Sequence, residues 1–162
     1  MAKMYLMSGC SGSGKTTFSK KFAEDNNLLY LGVDDFYAKV NGDECIHTNT
    51  FEVWIEFFKA IHEAEVKGLD CIIDTNTITR VHRAQFIEWF PTFEHHLIYI
   101  SADPELRKYN NKQRRRQVPD DVMDKMTARL EKPSLGGENF KTITYIYNVQ
   151  NHFQTPIVLK KG

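Results

Sequence analysis

The sequence has no surplus of either charge: Lys and Arg number 21, Asp and Glu number 21, and the formal net charge is zero. A protein that wraps a duplex carries a basic surplus to neutralise phosphates. A broad nucleic-acid surface therefore gets no support, although grip on a strand end is not excluded. Cysteine is sparse. Cys10, Cys45 and Cys71 are widely spaced and form no CxxC pair, and an odd count points to a reducing compartment. Long apolar runs are also absent. No stretch approaches a membrane span, and the apolar residues among Met1–Met7 are too few for a secretory signal. A cytoplasmic location with no membrane partner is expected. There is no internal repeat and no low-complexity linker. The 162 residues, 41% of them hydrophobic, suffice for one core and a single domain over 1–162.

What is present alternates between strand and helix, the pattern of a parallel α/β sheet. Strands are expected at Met4–Ser8, Leu28–Leu31, Leu69–Asp74, Leu97–Ser101 and Pro156–Leu159. Thr142–Tyr147 fits helix and strand equally poorly. Helices are expected at Lys15–Asp25, Asn49–Lys67 and Arg80–Phe90. Asn49 and Glu52 form a candidate capping box for the second of these, and Gly68 ends it. Its apolar residues Trp54, Phe57, Phe58, Ile61 and Ala64 recur at helical spacing and read as core. Asp103-Pro104 opens a further helix, with Asp as cap and Pro at the first helical position. Another runs from Pro119 to about Leu130, with Met123 and Met126 as packing residues. Cys71 reads as a small buried hydrophobe. His95 and His96 straddle a strand start and point to opposite faces, which argues against joint metal binding.

The strongest local signal is Gly9-Cys10-Ser11-Gly12-Ser13-Gly14-Lys15-Thr16, a full match to G-x-x-x-x-G-K-[ST] between an apolar strand and a helix. Gly9, Gly12 and Gly14 let the backbone turn so that its N–H groups converge on phosphate oxygens. The helix N-terminus adds its positive dipole end. Lys15 would reach the β- and γ-phosphates, and the Thr16 hydroxyl would bind Mg²⁺. Gly9, Gly12, Ser13, Gly14, Lys15, Thr16 and Thr17 are thus the candidate ATP-binding set. The motif by itself does not separate a kinase from a GTPase or a motor ATPase.

Three further groups address that choice. Asp34-Asp35 follows the second strand, where ligands of parallel sheets gather, and a carboxylate there can accept the proton of an attacking hydroxyl. Such acids also serve as helix caps or loop residues. Asp74 ends the third strand in Ile72-Ile73-Asp74-Thr75-Asn76; it can stand beside Thr16 and Mg²⁺, or contact the acceptor. Arg114-Arg115-Arg116 lies between two helices, and a mobile lid there would deliver guanidiniums to the γ-phosphoryl oxygens.

With these residues in view, the chain resembles the small, AAA-type P-loop kinases built like the kinase domain of phage polynucleotide 5′-hydroxyl kinase. The resemblance spans almost the whole chain: Gly9-Cys10 through Phe18, Asp34-Asp35, Asp74-Thr75-Asn76, and Asn111 through Pro119, which is similar to the family's lid N-x-x-R-x-R-x-V-P. Val122, Met126, Arg129, Glu131 and Pro133 fit as well, as does Glu138-Asn139-Phe140 at the family's C-terminal E-x-F. The fold implied is a P-loop NTPase: an adenylate-kinase-like parallel β-sheet flanked by helices, with a helical lid at about 108–122. The resemblance implies that Lys15 and Thr16 hold ATP and Mg²⁺. Asp34 would be the general base, Arg114 and Arg116 the lid arginines, and Arg115 a bystander. Asp35, Asp74 and Asn76 would support the acceptor, and Asp74 with Thr16 the metal. The family's acceptor-gripping arginine, three positions after the catalytic acid, is replaced here by Tyr37; Lys39, a point charge, is the nearest substitute.

The function expected is ATP-dependent phosphorylation of the 5′-hydroxyl end of DNA or RNA. The aromatics Phe36, Tyr37 and Phe51 are candidates for stacking on a terminal base, with Phe51 expected in the core. A small-molecule kinase acting on a nucleoside, sugar or antibiotic is the alternative that Tyr37 and the neutral charge favour. An ATP-binding module with weak ATPase activity is a further one, against which the acid at position 34 argues.

Overall fold

In a computed structural model, which describes residues 1–162, the alternation resolves into β1 (Lys3–Ser8), α1 (Lys15–Asn26), β2 (Leu29–Gly32), α2 (Val33–Asn41), α3 (Thr50–Lys67), β3 (Cys71–Asp74) and α4 (Arg80–Trp89). These are followed by β4 (Glu94–Ala102), α5 (Pro104–Lys112), α6 (Asp120–Arg129), β5 (Thr142–Val149), β6 (His152–Phe153) and β7 (Ile157–Lys160). The strand order is β2-β3-β1-β4-β5, all parallel, and β6 and β7 both pair antiparallel with the outer edge of β5. The chain leaves β1 to one side for β2 and β3 and to the other for β4 and β5. That switch point, at the carboxyl ends of the strands, is where such sheets bind ligands.

Side chains alternate across the pleat, so each central strand feeds two cores. Met4, Leu6, Cys71, Ile73 and Leu97 join Phe57, Ile61, Ala64 and Phe86 of α3 and α4 on one face. Met7, Ile72, Ile98 and Ile146 join Ala23 of α1 on the other. Each large apolar side chain fully buried here contributes about 1.5–3 kcal/mol. Burial pushes the Cys71 thiol up to about 12, as suits a packing residue. His95 and His96 are both buried and each has its own partner, the Phe90 carbonyl at 2.8 Å and the Thr142 hydroxyl at 2.7 Å.

One open assignment is decided and several expectations are corrected. The stretch 142–147 is strand: it pairs with β4 over seven residue pairs, His96↔Thr142 to Ala102↔Asn148. The Asn49 cap does not form. Asn49 sits at φ 54, and its amide donates to Asn41 Oδ1 at 3.0 Å instead. Asp103 does not cap α5 either; its carboxylate accepts the Tyr147 hydroxyl at 2.8 Å. Phe51 is not core but 82% exposed, because it lies on the side of α3 away from Val53, Phe57 and Ala64. Helix α2 was not anticipated, although Val33, Phe36, Tyr37 and Val40 carry its period.

Candidate active site

The phosphate cradle occupies the turn between β1 and α1. Gly12 is at φ 80, a left-handed conformation, and a Cβ there would collide with the Arg107 backbone carbonyl. Only glycine fits. The loop's carbonyls are tied down from outside: Asn110 donates to Gly12 O and Asn148 to Ser13 O, each at 2.9 Å. Below it, Thr77 donates to the Met7 carbonyl and Ser8 to the Thr77 carbonyl, both at 2.7 Å, locking β1 to the segment after β3. Arg83 braces that segment. It is fully buried, donates to the Thr77 carbonyl at 3.0 Å, and forms a two-pronged pair with Glu138 at 2.6 and 3.1 Å. This accounts for the buried acid of the Glu138-Asn139-Phe140 segment.

Lys15 is buried, and its ammonium has one hydrogen bond, to the Cys10 carbonyl at 2.9 Å. Burial brings its pKa down to about 8, with Asp74 opposing. A buried ammonium with two donors unspent fits an anion of several oxygens. The glycine cradle fits the same ligand, so the residues present suit ATP. Thr16 Oγ1 donates to Asp74 Oδ2 at 2.7 Å. That hydroxyl and carboxylate are the all-oxygen donors a Mg²⁺ ion takes. The Tyr30 hydroxyl donates to the same Asp74 oxygen at 2.6 Å. Burial, with Asp74 beside it, pushes the Tyr30 pKa well above the usual phenol range, so the phenol stays a donor. Gly32 lets the Tyr30 ring pass, since a Cβ there would strike the hydroxyl.

The cleft has a volume of about 740 Å³ and is lined by Lys15, Thr16, Asp34, Asp74, Arg114 and Arg116 among others. Asp34 and Asp35 form the first turn of α2, where the helix dipole favours anions. The arginines sit on the bends between α5 and α6 and cross to the α2 side. Arg114 and Arg116 each lie 3.5 Å from Asp34, on opposite carboxylate oxygens. Arg115 turns the other way and pairs with Asp43 at 2.7 Å. Arg116 also donates to His47 Nδ1 at 3.2 Å. The His47 ring lies flat on Tyr37, with centroids 3.8 Å apart. Burial and the Arg116 guanidinium hold the His47 pKa down, which keeps that nitrogen an acceptor. Asn76 reaches the cradle through Ser11 Oγ at 3.2 Å.

Thr17 and Asp35 also line the cleft. Lys39 does not: it lies on the outer side of α2, over the Phe36 ring and 4.0 Å from Glu56. Phe36 packs on Phe57 in the core. The segment 108–122 comprises the end of α5, a non-helical stretch at 113–119 that carries the three arginines, and the start of α6. Tyr30, His47, Arg83, Asn110 and Asn148 were not anticipated. Each acts through a partner distant in sequence, and no local motif announces it.

A family described as an AAA domain matches residues 4–133. The chain belongs to that family. Its matched span carries the cradle, Asp34, Asp74, Arg114 and Arg116, and stops just before Glu138. No curated protein matches the chain. Among solved structures it resembles a sugar kinase from Janibacter sp. (TM-score 0.67, 18% identity, 91% of this chain and 86% of that one). It also resembles a shikimate kinase from Bacteroides thetaiotaomicron (TM-score 0.56, 19% identity, 88% and 86%). A third likeness is to a chain of the Pnkp1/Rnl/Hen1 RNA repair complex (TM-score 0.71, 16% identity, 80% and 44%). The fold is that of the P-loop kinases.

Proposed function

We infer that this AAA domain protein transfers the γ-phosphoryl group of ATP to the 5′-hydroxyl end of a nucleic acid. The observation that carries the reading is the position of Asp34: one carboxylate at a helix N-terminus, bracketed by Arg114 and Arg116, in the same cleft as Lys15. A carboxylate so placed serves an acceptor hydroxyl, which an ATPase would not require. The alternation of partners along the lid, with Arg114 and Arg116 on Asp34 and Arg115 on Asp43, supports the polynucleotide-kinase register. So does the likeness to a chain of an RNA repair complex.

In this mechanism the acceptor oxygen bonds to the γ-phosphorus as the bond to the departing ADP oxygen breaks, and the acceptor proton passes to Asp34. Lys15 faces the β- and γ-phosphate oxygens. Arg114 and Arg116 move from Asp34 onto the γ-phosphoryl oxygens, which frees the carboxylate for its proton. Thr16 and Asp74, with Tyr30 orienting the carboxylate, would hold Mg²⁺, which when bound screens the phosphate charge.

A second reading has its own support. Tyr37, where the resembling kinases carry an acceptor-gripping arginine, is buried beneath His47, and sugar and shikimate kinases share the fold. A small alcohol would then be the acceptor. The deciding experiment is transfer of labelled γ-phosphate to 5′-hydroxyl DNA and RNA oligonucleotides, with 5′-phosphorylated oligonucleotides and Asp34→Ala as controls. Transfer to the hydroxyl ends alone supports the first reading. Intact ATP binding with no transfer replaces it with the second.

A further inference from the structure

Arg116 meets two partners through two different nitrogens. Nη1 lies 3.5 Å from Asp34 Oδ1, and Nη2 donates to His47 Nδ1 at 3.2 Å. Arg114 makes only the first kind of contact, to Asp34 Oδ2 at 3.5 Å. The ring that receives Arg116 is held in place by its neighbours. Its face lies on Tyr37, with the planes 10° apart, and Tyr37 is itself buried in α2. The backbone on either side of His47 is pinned by Asn41, the last residue of α2, whose amide donates to the Ile46 and Thr48 carbonyls at 2.7 and 2.9 Å. The other ring nitrogen, Nε2, is buried without a hydrogen-bond partner. The ring therefore offers one usable edge, and that edge faces the lid.

A guanidinium has donors only, so His47 must be neutral and bare at Nδ1 to receive it. Burial of the ring and the charge of Arg116 favour the neutral form, while Asp34 and a backbone contact at Glu44 oppose them. Tyr37 beneath the ring completes the titratable and charged groups around it. We propose that His47 is the pivot of the lid: Arg116 keeps Nη2 on His47 through the reaction while Nη1 exchanges the Asp34 oxygen for a γ-phosphoryl oxygen. His47 is thus a positioning residue that acts through Arg116. The proposal rests on the transfer mechanism above and needs no particular acceptor. Turning about one kept bond limits where the guanidinium can go, so little freedom is left to lose when the phosphoryl group arrives. A protonated His47 turns an N–H and a like charge towards the guanidinium and releases it. Turnover therefore falls as the pH drops through the titration of His47.

Two variants separate the stack from the acceptor nitrogen. His47→Phe keeps a ring on Tyr37 and loses Nδ1, whereas His47→Asn puts a non-titrating oxygen near the Nδ1 position. In transfer to a 5′-hydroxyl oligonucleotide, His47→Phe is expected to lower kcat about tenfold, the scale of one hydrogen bond to a charged group. The KM values for ATP and oligonucleotide should not change. His47→Asn should restore most of the loss and remove the acid-side fall in kcat. His47→Phe should add nothing to Arg116→Ala and keep its full effect on Arg114→Ala, since Arg114 does not touch the ring. A wild-type kcat in His47→Phe, a loss that persists on Arg116→Ala, or an acid-side fall unchanged in His47→Asn overturns the pivot and leaves the kinase reading standing. A second readout needs no turnover. The His47 ring signal, identified among the six histidines by its absence in His47→Asn, is titrated by NMR in the wild type and in Arg116→Ala, both saturated with the β,γ-imido analogue of ATP and Mg²⁺. A kept contact gives the higher His47 pKa in Arg116→Ala, because the guanidinium opposes protonation. Equal values mean that Arg116 leaves His47 when nucleotide binds, and they overturn the pivot whatever the activity. Unequal values with no transfer to any 5′-hydroxyl end overturn the acceptor reading and keep the pivot.

Discussion

Lys15 and Asp74 are buried and, with Thr16, held by hydrogen bonds, whereas Asp34, Arg114 and Arg116 meet through ion pairs about a third exposed. Under the proposed function, the donor half of the cleft is therefore pre-organised and the acceptor half is adjustable. Preformed dipoles need no reorganisation at the moment of reaction. Surface ion pairs are weak and exchange partners at little cost. Such pairs suit the proposed lid, whose arginines leave Asp34 for the phosphates.

The largest effect is expected where the donor frame is braced. Arg83→Met leaves the Glu138 carboxylate buried without its partner and should cost about 3–5 kcal/mol of stability, read from urea denaturation. The double variant Arg83→Met, Glu138→Leu should recover most of the loss, since an apolar pair replaces a buried ionic one with little penalty. A single variant near wild-type stability would show the frame to be less rigid than its geometry implies.

The two halves should also fail differently in catalysis. Lys15→Met is expected to lower turnover about 10²–10³-fold, the scale of losing one donor aimed at developing charge. It should weaken ATP binding as well. Asp34→Asn should lower transfer about 10²-fold while ATP affinity stays unchanged. Equal loss of ATP binding in both variants would erase the distinction between the halves.

A pH profile sharpens the contrast. The Lys15 ammonium of the free enzyme titrates at about 8, lowered chiefly by burial. Bound phosphate favours the charged form and raises that pKa, so ATP binding takes up a proton above pH 8 and none below it. ATP affinity should be flat to about pH 8 and then fall towards tenfold per unit. kcat at saturating ATP should stay level over the same range. Unchanged ATP affinity through pH 9 would mean that Lys15 is not the group facing phosphate.

Legibility follows the same division. The cradle is eight consecutive residues whose chemistry is local, so Gly9 to Thr16 could be read directly. The central strands were legible because residues buried on both faces form apolar runs. The roles proposed for Arg114 and Arg116 came only through resemblance. What the lid touches was not legible, because Arg116 and His47 are 69 positions apart and Arg83 and Glu138 are 55. No periodicity encodes such pairs. Phe51 was misplaced because its hydrophobicity was weighed and its helical phase was not: Val53 and Phe57 define the inward side of α3, and Phe51 faces away from it. Asn49 and Asp103 have the right identity for caps, but a left-handed backbone at one and Tyr147 at the other claim them instead.

The smallest effect is expected at Arg115, and it tests the register most finely. Its guanidinium reaches Asp43 on the loop between α2 and α3, and neither side chain touches Asp34 or the cradle. An exposed pair of this kind contributes little to holding the lid, so Arg115→Ala should change kcat by less than about threefold. Arg114→Ala and Arg116→Ala each remove a group that the proposed mechanism brings to the reacting phosphoryl and should cost about 10-fold or more. Arg116 carries an added constraint, since His47 on Tyr37 orients it from below. Arg116→Lys should therefore rescue poorly, because an ammonium cannot span Asp34 and His47 as a planar guanidinium does. If Arg115→Ala were as damaging as its neighbours, the Asp43 pair would be part of the closed catalytic state. The lid would then have to be read as a clamp of three arginines rather than two.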